Sequence, residues 1–244
     1  MKTISRLTAL AAASLALAGC ASVNMDQAVQ GTNSAVGSFT QGKLELSRTA
    51  QQAQARAQLS SALLASPLGR DEAVQLALAN SPAVQTLLAQ SWAELAQASQ
   101  TGRIANPVFT FERIRFGDEL ELGRRLSFGL LDLLTLPRRM EISRGQAAQA
   151  RVQLSVNVVE QVTQVRQAWV RAVAAQQSLE YANQVNRSAQ ASAELARRMQ
   201  QVGNFNKLQR ARQQSFYADS AAQLASSQHA STAAREELTR LLGL

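Results

Sequence analysis

From Arg138 to Gln201 the sequence holds no proline and one glycine, Gly145. Apolar residues recur at helical spacing throughout: Leu154, Val158, Val162 and Val165, then Trp169, Val173, Leu179, Ala182 and Val185. A pattern of period 3.6 sustained this long predicts one helix over 138–201, roughly 95 Å long at 1.5 Å per residue. Val202-Gly203-Asn204 ends it, and a second helical pattern covers 205–242, roughly 57 Å. A third covers 71–101, roughly 46 Å, interrupted at Asn80-Ser81-Pro82, where Ser81 can cap and Pro82 suits a first turn. The two shorter helices together match the long one, which predicts a rod of roughly 100 Å of antiparallel helices. Composition agrees: the 244 residues are 46% hydrophobic but only 5% aromatic, rich in Ala, Gln, Leu and Arg, as in long helices and coiled coils.

Between the helices the period changes to two. Residues 107–116 are rich in β-branched and aromatic side chains, Gly117-Asp118 is a candidate tight turn, and 119–130 alternates. Leu120, Leu122, Leu126, Phe128 and Leu130 point one way if the chain is extended, and Glu121, Arg125 and Ser127 the other. Arg124 falls on the leucine side, either snorkelling at a rim or marking a break in register. In the first strand Phe109 and Phe111 share a face while Ile114 and Phe116 lie opposite, which a bulge near Glu112 would reconcile. Strands of roughly 9–12 residues suit a tilted membrane crossing. The predicted fold class is therefore mainly α: long antiparallel coiled-coil helices with one two-stranded β-hairpin.

Residues 1–19 read as a leader. Lys2 and Arg6 precede a short apolar run, too short for a permanent span, which ends in Leu17-Ala18-Gly19-Cys20. Those four residues resemble the lipobox of bacterial lipoproteins. The resemblance implies cleavage before Cys20 and acylation of Cys20, the sole cysteine. Ala21 in place of Asp implies sorting to the outer membrane. Residues 20–69 form an anchored N-terminal segment, with 21–42 expected as a tether and 43–65 as a helix ahead of the breaker Ser66-Pro67-Leu68-Gly69.

The formal charge is +8. Lys2 and Arg6 contribute two of those charges, leaving +6 on the remainder. A basic chain raises the question of nucleic acid, but export makes that partner improbable, and the cations are spread along helices as solvated faces. Catalytic constellations lack their parts. With one histidine, His229, and one cysteine, zinc clusters and Cys-His or Ser-His-Asp sites cannot be assembled, and no glycine-rich phosphate loop occurs. Asp71 and Glu72 diverge on a helix and read as first-turn acids. Trp92 and Trp169 read as packing residues. No enzyme, metal or cofactor is expected.

Five segments carry a family resemblance. EAVQLALANSPAVQ (72–85), IANPVF (104–109), the long segment from LPRRMEISRG (136–145), RRMQQVGNFNKLQRARQQ (197–214) and AAREELTRLLGL (233–244) occur in the order found in the TolC-like outer-membrane efflux protein family, over roughly 70–244. The resemblance implies an outer-membrane β-barrel continued by a periplasmic α-helical tunnel. It also implies docking to a periplasmic adaptor and an inner-membrane pump, homo-oligomerisation, and conduction without chemistry. Leu120, Leu122, Leu126, Phe128 and Leu130 would face outer-membrane lipid, and Glu121, Arg125 and Ser127 the lumen. Val202, Gly203, Asn204 and Phe205 would form the adaptor-contacting tip, although Asn204 stands where the family often has Leu, and Gly203 also reads as an ordinary helix C-cap. Family chains usually carry two such halves and assemble as trimers. One half here leaves two readings: part of a longer frame, or a half-length member needing a hexamer-like ring. The competing function is a periplasmic coiled-coil structural lipoprotein without a pore.

Overall fold

A computed structural model describes residues 24–127 and 129–244. The described chain is mainly α. Its elements are α1 (Met25–Thr40), α2 (Ala50–Leu64), α3 (Arg70–Asn80), α4 (Pro82–Thr101), β1 (Val108–Phe116), β2 (Glu119–Ser127), α5 (Leu130–Gln201) and α6 (Lys207–Leu242). Two compact units divide them. One holds the residues up to Gln30 together with 89–153; the other holds 31–88 and 154–244.

In the larger unit α3 is the hub. Ala73, Val74, Leu76, Ala77, Leu78 and Ala79 are all buried, so this short helix is apolar nearly all round, as an enclosed helix must be. The unit also buries Leu44, Val84, Leu88, Leu154, Val158, Val162 and Val165. A leucine as enclosed as Leu76 or Leu88 contributes about 1.5–3 kcal/mol. Where α3 meets α4, Pro82 opens the new helix, and the Ser81 carbonyl accepts from Val84 N at 3.2 Å and Gln85 N at 3.4 Å. The side-chain cap expected of Ser81 is not made: its hydroxyl is buried without a partner, and the backbone carbonyl serves instead. The C-terminal end of α6 docks on this junction. Asn80 Nδ2 donates to the carbonyls of Leu242 at 3.1 Å and Gly243 at 2.8 Å, and Gly243 takes φ +76.

Along 168–200 α5 pairs with α6 through small side chains at heptad spacing. Ala182, Ala189, Ala193 and Ala196 are buried on α5, and Ser220, Ser227 and Ser231 on α6. Ser220 Oγ donates to Asn186 Oδ1 at 3.1 Å and Ser231 Oγ to Gln176 Oε1 at 3.2 Å. As the partner number falls while its own rises, the two bonds describe an antiparallel hairpin turning near residue 203. Small seam residues let the two axes approach closely. Trp169 packs as expected, its Nε1 donating to the Leu68 carbonyl at 3.0 Å.

Several boundaries differ from the sequence reading. Residues 25–40 form a helix, not a tether. Gly31 and Gly37 weaken it, but it buries Met25, Ala28 and Val29 in one unit and Thr32 and Thr40 in the other, and burial outweighs propensity. The expected helix over 43–65 starts at Ala50, because Thr49 and Gln52 form a capping box there. The irregular segment before it is held by amide side chains. Asn33 exchanges two bonds with Leu44, at 3.0 and 2.9 Å, Gln85 bridges the Glu45 carbonyl and Ser47 N at 3.0 and 3.1 Å, and Gln75 donates to the Gln41 carbonyl at 3.0 Å. Five backbone groups of 41–47 are thus satisfied by side-chain amides without a ladder.

The long helix starts at Leu130, ahead of the expected 138, with Pro137 inside it. Pro137 removes one helical bond, but the turns on either side are tied together. Asp132 sits in the first turn, where a helix favours an acid, and Arg139 reaches back to it at 3.1 Å. Arg139 also donates to the carbonyls of Thr101 and Arg103, both at 3.0 Å, capping α4 with a cation. Ser143 Oγ donates to the Ala98 carbonyl at 2.8 Å. The last helix starts at Lys207, not 205, because Asn206 caps it.

Candidate membrane hairpin and helical tip

The hairpin lies in the smaller unit. β1 and β2 pair antiparallel without interruption, from Val108 opposite Ser127 to Phe116 opposite Glu119. Gly117, at φ +58, supplies the left-handed conformation that a tight primed turn needs at its first position. The continuous register contains no bulge near Glu112, so the mismatch in β1 is real: Ile114 lies on the face of Glu121 to which it is paired.

Directly opposed residues share a face. One face therefore carries Phe109 with Leu126, Phe111 with Arg124, Arg113 with Leu122 and Arg115 with Leu120. The other carries Val108 with Ser127, Thr110 with Arg125, Glu112 with Gly123 and Ile114 with Glu121. Leu120, Leu122 and Leu126 thus come together, as do Glu121, Arg125 and Ser127. Arg124 sits on the leucine face with the register intact around it. Phe128 lies outside the described residues. Leu130 is not in β2; it is the first residue of α5, because the strand stops at Ser127 and the Gly129 carbonyl already accepts from Leu133 N at 3.4 Å.

Among the described residues nothing covers either face of the hairpin. Phe109 is 64% exposed, Phe111 56%, Leu126 62%, and Leu130, Leu131 and Leu134 at the start of α5 66%, 74% and 72%. Apolar side chains packed this densely in one region and left uncovered are beyond the scattered exposure of a soluble surface and mark an interaction face.

The tip lies in the larger unit and is built by two capping motifs back to back. Gly203 takes φ +83; Gly203 N donates to the Gln200 carbonyl at 3.1 Å and Asn204 N to the Met199 carbonyl at 2.9 Å. That pair of bonds is the Schellman arrangement. Asn206 Oδ1 then accepts from Gln209 N at 2.8 Å while Gln209 Oε1 accepts from Asn206 N at 2.9 Å, a reciprocal capping box. Between them Val202, 71% exposed, and Asn204 point outward, and Phe205 is half-buried. Leu208 beside them is also exposed.

Arg197 and Arg198 stand near the C-terminus of α5, where the helix dipole favours cations. They clamp Glu194: Arg197 Nε and Nη2 and Arg198 Nε each lie 2.8 Å from its carboxylate oxygens. The hydrogen bonds from Arg197, then Arg198, lower the Glu194 pKa from its ordinary 4.5 to about 2. Sequence reasoning also missed Arg166, whose guanidinium stands 4.6 Å over the Phe39 ring, donates to the Phe39 carbonyl at 2.7 Å, and lies 3.6 Å from Asp71. Asp71 therefore ties α3 to α5 in addition to standing in a first helical turn.

Cys20 and the leader lie outside the described residues. Among the described residues no three His, Cys, Asp or Glu side chains gather as a metal site. No described helix is long and apolar enough to cross a membrane.

No family profile matches the sequence, and no curated protein does. Among solved structures the chain is similar to the crystal structure of a membrane protein from Pseudomonas aeruginosa, at 20% identity and a TM-score of 0.56 over 72% of this chain. It spans 45% of the length of that protein. At this identity the likeness concerns the fold.

Proposed function

We propose that the protein is a lipid-anchored outer-membrane component of a tripartite efflux system, of the TolC-like family, and conducts substrate from an inner-membrane pump and a periplasmic adaptor to the exterior. The observation that carries this reading is the hairpin. One face gathers Phe109, Phe111, Leu120, Leu122 and Leu126 with Arg113, Arg115 and Arg124, the other Glu112, Glu121, Arg125 and Ser127 with Val108 and Ile114, and nothing among the described residues covers either. Alternation of this kind suits a barrel strand between lipid and water. A structural lipoprotein has no use for it. The fold likeness to a membrane protein supports the same reading. In it Cys20 carries the anchor, the turn from Val202 to Phe205 meets the adaptor, and further copies complete the barrel. Two large apolar residues of α5 two heptads apart, Tyr181 and Leu195, both exposed, support lateral contact with neighbouring helices. No chemistry is assigned to the chain, and no metal, cofactor or nucleic acid.

Leu126→Lys tests the reading. At 62% exposure the side chain contributes little packing within the chain, so the folded protein outside a membrane should change by less than about 0.5 kcal/mol. A lysine on the lipid face costs about 2–4 kcal/mol per strand at mid-depth. The expected result is an unchanged helical melting curve in detergent and loss of membrane-inserted oligomer on vesicle reconstitution. A variant indistinguishable from wild type in both measurements would favour the scaffold.

A further inference from the structure

Three of the four arginines of the hairpin share one face, and Arg125 shares the other with the glutamates. Arg113, Arg115 and Arg124 all lie on the face of Phe109, Leu120, Leu122 and Leu126, whereas Glu112 and Glu121 lie on the other. No acid shares the face of the three arginines, and all three are exposed. None of them makes an ion pair among the described residues. They are also sorted along the strands. Arg115 stands in the row next to the turn residues' flanking pair, Arg113 two rows further and Arg124 two rows beyond that, so the three span roughly 14 Å at 3.4 Å per row. Past them, away from the turn, that face carries only Phe109 with Leu126.

An arginine on a lipid-facing strand is costly at mid-depth and nearly free at the interface. Three on one face, in alternate rows from the turn to just past the middle of the hairpin, are tolerable only if the turn end stands at headgroup level. There a guanidinium can bond phosphate oxygens in a bidentate fork, and Arg124, the deepest, can run its aliphatic stem toward the same level. The apolar length of the face then falls at Phe109, Phe111 and Leu126 and continues onto the exposed Leu130, Leu131 and Leu134.

We propose that Arg113, Arg115 and Arg124 form a binding surface for the phosphate groups of anionic membrane lipid at the turn end of the hairpin. The proposal rests on the membrane reading above and adds a lipid class to it. It also sets the depth of the hairpin: the turn half lies among headgroups and the base half in hydrocarbon.

The test is flotation of the full chain with vesicles of phosphatidylcholine alone and with added phosphatidylglycerol, with inorganic phosphate as competitor. Wild type should float with both vesicles and prefer the anionic ones. R113Q/R115Q/R124Q should float with phosphatidylcholine as wild type does and lose the preference, roughly fivefold per arginine and on the order of 100-fold in all. R171Q/R212Q/R235Q, which removes the same charge from exposed helix positions, should keep it. Inorganic phosphate should not compete at millimolar level, since the surface is matched to a headgroup layer and not to a free ion. Equal loss in both triple variants would make the preference a whole-chain charge effect and overturn the assignment. So would retention of the preference in the hairpin variant, or displacement by free phosphate. Flotation with phosphatidylcholine but without anionic preference overturns this proposal alone, whereas flotation with neither vesicle overturns the membrane reading with it.

Discussion

Two glycines at helix C-termini share a conformation and differ in their surroundings, which makes them a controlled pair. Gly203 has φ +83 and Gly243 φ +76. A Cβ added at Gly203 meets nothing within 4 Å. Gly203→Ala should therefore cost only the left-handed backbone penalty, about 1–2 kcal/mol. A Cβ at Gly243 would stand 2.7 Å from Pro82 Cδ, 2.8 Å from Ser81 Cα and 3.0 Å from the Asn80 carbonyl oxygen. Two of those are backbone atoms that no rotamer change can clear, so the helix end must lift off the α3–α4 junction. Lifting lengthens the two bonds from Asn80 to Leu242 and Gly243, at about 1 kcal/mol each, and loosens the buried Leu241 and Leu242. Gly243→Ala should thus cost roughly 2–4 kcal/mol more than Gly203→Ala. Urea melts of the detergent-solubilised protein, followed by circular dichroism at 222 nm, measure both. Equal losses would mean that the α6 end is not seated on the junction. A larger loss for Gly203→Ala would refute the packing described for Gly243 altogether.

Three further outcomes can be checked. Ala189→Leu places three extra carbon atoms, at 0% exposure, into a seam built on Ala and Ser; overpacking of about 1–3 kcal/mol should appear as a lower melting temperature, whereas the same change at exposed Ala191 should be neutral. Asn206→Ala removes the cap of α6 and should lower stability by about 1 kcal/mol in the same urea melts. For Glu194, the folded pKa of about 2 lies below the ordinary 4.5, so its contribution is present above pH 4.5 and is lost as pH falls through about 2. Carbon-13 NMR of the carboxyl should show that low midpoint in wild type, and a return toward the ordinary value in R197Q/R198Q.

Much of the fold was legible because the signals were long or local. Tens of residues of period 3.6 cannot form anything but helix, and the two breaks at Ser81-Pro82 and Gly203 are carried by residues whose backbone preferences suit them. The hairpin was legible from Gly117-Asp118 and the alternation of 119–127. The tip was legible as a place, and its Schellman and capping-box bonds follow from Gly203, Asn206 and Gln209 in their spacing. What escaped depends on partners distant in sequence. Residues 25–40 contain two glycines and look like a linker until Met25, Ala28 and Val29 are seen buried. The start of α5 was placed after Pro137, where local rules put it; Arg139, bonded to Asp132 and to the end of α4, holds the earlier turns. Gly243 gave no more signal than any glycine near a helix end, and its close approach to Ser81 could not be read from spacing. The bulge expected near Glu112 is absent, since β1 itself does not alternate: Ile114 stays on the face of Glu112 and Glu121.

The distribution of apolar area bears on how such a chain is stable. In the α5–α6 hairpin the enclosed positions are Ala and Ser, each burying about one methyl group or less, near 0.8 kcal/mol. Bulkier side chains of the same helices, Val170, Tyr181, Leu195, Leu208 and Phe216, are exposed. A coiled coil that stood alone would be arranged the other way round, with its large residues inside. Small residues inside give close approach of the helices, and large residues outside give a further surface to be covered. In the smaller unit Met25, Val29 and Leu95 are buried, while the apolar residues of the hairpin and Leu130, Leu131, Leu133 and Leu134 are exposed. Each unit taken separately therefore has a core and also leaves large apolar side chains uncovered. Under the efflux reading those surfaces are the ones that meet neighbouring helices and lipid, so the stability that the seam does not supply is supplied on assembly, and apparent stability should depend on protein concentration and on lipid as for any state stabilised by association.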